Sequence, residues 1–306
     1  MSGRLHELRR AGGARVRHAL LHGPVAAPAW RARAVVAQVG SAVRGDRPQL
    51  SVPQSAVLDE LRATAVAATS LSALGLAATD SFLDAVAELR AALPEAPSLS
   101  EDGDRRSGRS TWLHCRALDA AALARRWPPI LLLGVDPQLL ALVERYLGVP
   151  PALTAVDLRQ DVGTGEQVGT RIWHLDTEDH RNLRMIVYLS DVGPDDGPFE
   201  YVPLSVTERL GALHDRARRA EGDPILDDEL ERTVPRARWQ RVLGPAGTVA
   251  LADNTRLLHH SAVHRSSRLA LLYTFTSRHP RYPALVRNPR YDDWLTPYQR
   301  RALRTG

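Results

Sequence analysis

His174 and Asp176 stand one residue apart in Trp173-His174-Leu175-Asp176, and His259-His260-Ser261 followed by Arg268 lies further down the chain. On an extended segment side chains alternate, so His174 and Asp176 point to one face. Donors this close can occupy adjacent positions on one metal ion. A distant histidine would complete a face of two nitrogens and one carboxylate oxygen. The positions left open suit a ferrous ion that oxygen and a co-substrate must both reach. Arg268, nine residues after His259, could add a rigid positive fork for a carboxylate. An H-x-D triplet alone is weak, but four elements in this order and strand context make a specific pattern.

Each residue also has a plainer reading. His174 could be an ordinary polar residue at a strand edge. Against that, Ile172 and Trp173 lead into two adjacent polar groups, a costly arrangement unless something binds them. Asp176 could cap the turn at Thr177-Glu178-Asp179 as well as ligate. His259 and His260 face opposite ways on a strand, so only one can coordinate. If Ser261 faces inward beside the arginine, alternation selects His259 and sends His260 outward. His180 and His264 read as surface or supporting residues. Arg268 opens the apolar strand Leu269-Ala270-Leu271-Leu272-Tyr273, where a buried charge needs an anionic partner. Arg265 is the runner-up. On Leu183–Leu189, Arg184, Ile186 and Tyr188 share a face and either line the pocket or simply pack.

The elements that must position these groups follow from periodicity. Residues 1–150 read as mainly helical, with Ala and Leu at three- and four-residue spacing in Ser55–Ala68, Asp80–Leu93 and Pro137–Leu147. Asp80 is a plausible N-cap, and Gly148 before Pro150 is a stop signal. Pro94–Gly108 reads as a loop. After Pro151 come β-type runs at Thr154–Arg159, Val168–Asp176 and Leu183–Leu189. A Gly/Pro/Asp turn at 193–198 precedes another run from Phe199 to Val202. Leu204–Val242 turns helical and charged, and strands return at Gly247–Ala252 and Arg268–Ser277. The expected architecture is α+β: a double-stranded β-helix, or jelly roll, at 151–280 with a helical insert at 205–241. N-terminal helices would pack outside it, and a C-terminal tail at 281–306 would wrap it, all as one domain over 1–306.

Composition narrows the function classes. All 40 basic residues are arginine, which excludes a Schiff-base or P-loop lysine. The net charge of +5 arises from arginines spread among 35 acids, with only 5% aromatic residues. That describes a solvated basic surface better than a nucleic-acid interface. No apolar run approaches membrane-spanning length, and the start lacks a secretory apolar core. Its Arg-rich opening reads as a basic amphipathic arm rather than a transit peptide. The lone cysteine, Cys115, fits a reducing compartment, so a cytoplasmic location is expected.

These residues resemble the phytanoyl-CoA dioxygenase family of iron(II)- and 2-oxoglutarate-dependent oxygenases. The likeness spans about residues 150–280. It rests on Trp173 to Asp176, Tyr188-Leu189-Ser190-Asp191-Val192, Gly197 to Tyr201 and Pro203, then Gly247–Asp253, His259 and Arg268–Tyr273. The resemblance implies Fe(II) held by His174, Asp176 and His259. It also implies 2-oxoglutarate chelating that iron, its far carboxylate gripped by Arg268 with help from Ser261; Arg184 and Tyr188, from the shared face of their strand, are expected beside the co-substrate. With O2 as oxidant, the implied reaction attacks a C–H bond of a small-molecule or carrier-linked substrate. Because Asp176 is not Ala or Gly, the chloride position used by related halogenases is lacking, so hydroxylation is expected. Two rivals stand: a zinc or manganese hydrolase or isomerase on the same barrel, and a basic binding module. Nothing in the sequence selects the substrate or the oligomeric state, although the Arg-bearing run at 102–109 would suit an anionic substrate.

Overall fold

The computed structural model describes residues 28–30, 32–36, 40, 47–93, 115–118, 120–219, 223–281 and 295–303. The basic N-terminal arm, the expected loop at 94–108, the run at 102–109 and most of the tail lie outside the described residues. Helix α1 (Val52–Thr64) starts at a Ser51–Gln54 capping box and stops where Ala65 turns left-handed, φ 64°. The Ala-rich run does not remain helical to Ala68. Val66–Ser70 is strand β1, because pairing along Thr248–Ala252 overrides a weak local propensity. Next come α2 (Leu71–Leu74), α3 (Thr79–Ala92), strand β2 (Cys115–Leu118), α4 (Ala120–Arg126), α5 (Pro128–Gly134) and α6 (Pro137–Leu147). Among the described residues, the mainly helical first part also carries strands β1 and β2. Asp80 sits in the first turn of α3 rather than at its cap, which is Ala78. Asp136 caps α6, accepting from the Gln138 and Leu139 amides, and Gly148 ends it at φ 76°.

The second part holds β3 (Pro151–Asp161), β4 (Leu183–Tyr188), β5 (Phe199–Tyr201), α7 (Leu204–Thr207), α8 (Ala212–Ala217), α9 (Asp227–Glu231), β6 (Gln240–Val242), β7 (Thr248–Ala252), β8 (His259–Ser261) and β9 (Arg268–Ser277). Two expectations need correction. Val168–Asp176 is no regular strand: a 3-10 turn at Gly169–Arg171 leads into an extended stretch with isolated bridges at Trp173 and His174. The stretch expected to be helical through Val242 ends in β6, which pairs with β5.

Among the described residues two antiparallel sheets result, one of six strands in the order β1-β7-β4-β9-β3-β2 and one of three, β6-β5-β8. Alternation divides the large sheet. Met185, Val187, Leu251, Leu271, Tyr273 and Phe275 face α1, α3, α5 and α6 in the main core. The other face turns Ile186, Tyr188, Ala250, Ala270 and Leu272 toward Phe199 and Val242 of the small sheet. A third apolar cluster joins Trp173, Leu175 and Leu258 to Ala217, Ile225, Leu230, Val234 and Trp239 of the insert. Helix α10 (Pro297–Ala302), in the described part of the tail, docks on α6 where Tyr298 Oη donates to Glu144, 2.9 Å. Among the described residues no helix is long and apolar enough to cross a membrane.

The helical layer sits on the sheet at one close approach. A Cβ on Gly134, which ends α5, would lie 2.7 Å from the Tyr273 ring and 2.8 Å from Leu153. Both side chains are buried, so neither can yield cheaply. Gly134→Ala should destabilise the protein by about 1–3 kcal/mol through overpacking, read as a lower urea midpoint with unchanged slope.

Candidate metal centre

The segment 173–176 is clamped on both sides. Trp173 and Leu175 donate their amides to Ile225 and Ala217 of the insert, at 3.1 and 3.0 Å. The alternate amides of His174 and Asp176 donate to the carbonyls of His259 (3.0 Å) and Asn254 (2.8 Å). Trp173 and Leu175 are buried in the insert's apolar cluster, and His174 and Asp176 turn the opposite way. The expected same-face geometry is thus achieved by an extended stretch shared between insert and β8.

Donor atoms of His174, Asp176 and His259 all lie within 4.8 Å of one another. His174 Nε2 stands 3.7 Å from Asp176 Oδ1, and the two imidazole centroids are 4.3 Å apart. Each ring is oriented by its own backbone. His174 Nδ1 is 2.7 Å from the Ile172 carbonyl, and His259 Nδ1 is 2.8 Å from that of Leu257. A carbonyl only accepts, so Nδ1 carries the proton and Nε2 keeps its lone pair. Burial pushes the His259 imidazole down to about 3, reinforced by its neighbour His174. Burial also lowers His174, against the opposing pull of Asp176. Both rings are therefore neutral ligands near pH 7.

Asp176 carries the charge. Burial alone would raise its pKa, but Arg184 and the two histidines outweigh it and hold the carboxyl below its usual range. Arg184 Nε donates to Asp176 Oδ2 at 2.6 Å, and its other arm donates to Glu178 Oε1 at 2.6 Å. Asn182 donates to the same Asp176 oxygen at 3.2 Å. With Oδ2 engaged, Oδ1 is the oxygen beside His174. Two lone-pair nitrogens, one ionised oxygen and a ring 30% exposed on the His174 side fit a divalent ion with open positions.

The other expected site residues fall into different places. His260 turns away, stacks on Trp173 with centroids 3.7 Å apart, and pairs with Glu200 at 2.7 Å. Its position on the far side of β8 leaves His259 as the histidine in the cluster. Arg268 is buried, holds Asp161 and the Gly197 carbonyl, and reaches Ser261 Oγ at 3.0 Å. Ser261 therefore does face the arginine. Arg265 is exposed. Arg184, expected beside the co-substrate, is engaged with Asp176 and Glu178. The Tyr188 ring borders the Arg268 guanidinium, but its buried hydroxyl ties the sheets together, donating to Val242 O and accepting from Phe199 N, each 2.9 Å. Glu178, Asn182, Asn254 and Asp161 were not singled out as site residues. Glu178 was visible only as part of the run after Asp176, and Asp161 has no sequence signal until β3 pairs with β9. A groove of about 610 Å³ near Leu71, Thr79 and Pro245 opens at the Thr248 end of β7, remote from the cluster beyond its Ala252 end.

No protein-family model matches the chain, and no curated protein matches it. Among solved structures it is similar to SnoN, a non-heme alpha-ketoglutarate-dependent epimerase from nogalamycin biosynthesis (16% identity, 76% of this chain, 85% of that one, TM-score 0.47). It is similar to SnoK, a carbocyclase of the same biosynthesis (17%, 82% and 95%, TM-score 0.48). HygX from Streptomyces hygroscopicus, with nickel and 2-oxoglutarate bound, is similar at 18% identity (75% and 88%, TM-score 0.46). At identities and scores this low, the chemistry of the site is decided by its own geometry.

The two neighbouring histidines separate in one experiment. His259→Ala should abolish binding of one equivalent of iron(II), measured by anaerobic titration. His260→Ala should retain that stoichiometry while losing about 1–3 kcal/mol of stability, since Glu200 Oε2 loses its buried hydrogen-bond partner and only the Arg241 pair remains. Loss of metal in the second variant, with the fold intact by circular dichroism, would reverse the assignment.

Proposed function

We propose that this protein is an iron(II)- and 2-oxoglutarate-dependent oxygenase built on a double-stranded β-helix like that of the phytanoyl-CoA dioxygenase family. The observation that carries the reading is the convergence of His174, Asp176 and His259, with both Nε2 lone pairs free and the carboxylate kept ionised. His174, Asp176 and His259 would hold the iron, and Arg268 with Ser261 would hold the distal carboxylate of 2-oxoglutarate. Bound together, iron and the 2-oxo acid supply the oxidation of a substrate C–H bond by O2.

The chain's own residues do the rest. Arg184 and Asn182 fix one oxygen of Asp176 and leave the other for the metal. The Nδ1–H bonds to Ile172 and Leu257 keep both imidazoles in the ligating tautomer without a proton to lose. Asp176 would fill the third protein position on the metal, so the outcome proposed is hydroxylation rather than halogenation. The substrate class proposed is a small molecule, free or linked to a carrier, since the arginines are dispersed among 35 acids and only 5% of residues are aromatic, a poor match for a polymer-binding groove.

Anaerobic titration with iron(II) and then 2-oxoglutarate tests the reading. A weak visible charge-transfer band should grow in the wild type and be absent in Asp176→Ala. Arg268→Ala should weaken 2-oxoglutarate by about tenfold or more, a loss of ~1.4 kcal/mol or more. Iron binding without any band would instead favour a hydrolase or isomerase using zinc or manganese.

A further inference from the structure

Arg268 already holds a carboxylate. Asp161 is the residue directly opposite it in the β3–β9 register, and both are buried, each 4% exposed. Arg268 Nε donates to Asp161 Oδ2 at 3.1 Å, and one terminal nitrogen donates to the same oxygen. That terminal nitrogen also donates to Ser261 Oγ, and the other donates to the Gly197 carbonyl. The edge formed by Nε and one terminal nitrogen is a natural place for an arginine to grip a carboxylate with two parallel bonds. Here that edge is closed on an internal one.

We propose that Asp161 is a built-in competitor for the co-substrate site: it occupies Arg268 and must be exchanged for the distal carboxylate of 2-oxoglutarate. This rests on the oxygenase reading above and adds to it a rule of selection. A buried guanidinium left alone is strongly destabilising. With Asp161 in place, its charge is paired before the co-substrate arrives, and an incoming carboxylate at the right distance can take over the pairing. A 2-oxo acid with no second carboxylate cannot, and would bind with Asp161 still seated. The displaced carboxylate has a second cation at hand. Arg159, two residues back on the same face of β3, also acts on the Asp161 charge; with Arg268 it outweighs the effect of burial and keeps that carboxyl below its usual range.

The rival role for Asp161 is to orient Arg268, and the two roles move affinity in opposite directions. Calorimetry on the iron(II)-loaded protein, without oxygen, would measure 2-oxoglutarate and 2-oxobutanoate binding to wild type and to Asp161→Asn. Competition predicts that Asp161→Asn binds 2-oxoglutarate about tenfold more tightly or better, a gain of 1.4 kcal/mol or more by the standard conversion. The affinity for 2-oxobutanoate should change by less than about twofold on the same scale. Unchanged or weaker 2-oxoglutarate binding in a folded Asp161→Asn protein overturns the proposal and leaves the oxygenase reading standing. If the variant does not fold, the wild type decides. Competition predicts that it prefers 2-oxoglutarate over 2-oxobutanoate by less than about tenfold, and a preference of about a hundredfold or more overturns it. Binding of neither acid to iron-loaded wild type removes the oxygenase reading itself, and this inference with it.

Discussion

Keeping the Asp176 carboxylate ionised below the protein surface is the constraint around which the site is built. A buried carboxylate is tolerated only with a paired cation and satisfied lone pairs. Arg184 supplies the cation, and Asn182 adds a second bond to the same oxygen. Asn182 also accepts the Asn254 amide, and the Asn254 carbonyl accepts the Asp176 amide, which closes a loop around the ligand. The preceding residue, Asp253, is fully buried and ties that loop to Tyr146 on α6 and to Arg181. A helix on the outer face of the sheet is thereby connected, through three polar links, to the carboxylate that faces the metal position.

The absence of lysine acquires a structural meaning here. Arg184–Asp176, Arg181–Asp253 and Arg268–Asp161 each join a guanidinium to a buried carboxylate. In the first and third pairs the arginine engages further acceptors at fixed angles: Arg184 spans Asp176 and Glu178, and Arg268 spans Asp161, Ser261 and the Gly197 carbonyl. A planar fork orients each of its acceptors relative to the others. An ammonium is a compact, strongly hydrated point charge that imposes no such plane and is costlier to bury. Arginine is therefore the residue type these positions call for, whatever drove its use on the surface.

The triad was legible because period two is a local property. His174 and Asp176 needed only an extended segment, and His259 rather than His260 followed from the inward placement of Ser261 beside Arg268. Strands β4, β7 and β9 were equally plain, being β-branched or apolar runs between turn residues. What stayed illegible depended on partners distant in sequence. Val66–Ser70 carries an Ala-rich helical pattern and became a strand only because β7 offers it an edge. Asp161 meets Arg268 across 107 residues. Arg184 looked like a pocket residue because its face was readable, whereas the carboxylates that capture it were not assigned to that face. Alternation along one strand states which way a side chain points. It does not state which charge waits there.

The irregularity of the 173–176 segment is itself part of the site. A ladder strand would be paired continuously with two neighbouring strands of a sheet. This segment instead takes its bonds alternately, Trp173 and Leu175 from the insert, His174 and Asp176 from the β8 side. The insert's core holds Trp173 by the edge of Trp239 and by a bond to Asp227, while its other neighbour His260 is fixed by Glu200. Rigidity thus comes from behind the ligands, through residues that never face the metal position, and the His174 side is left open to solvent. Under the proposed reading, an ion that admits both oxygen and an organic acid would need its ligands fixed on one hemisphere only. Bonds to the insert on one side and to His259 and Asn254 on the other fix the ligands in that way.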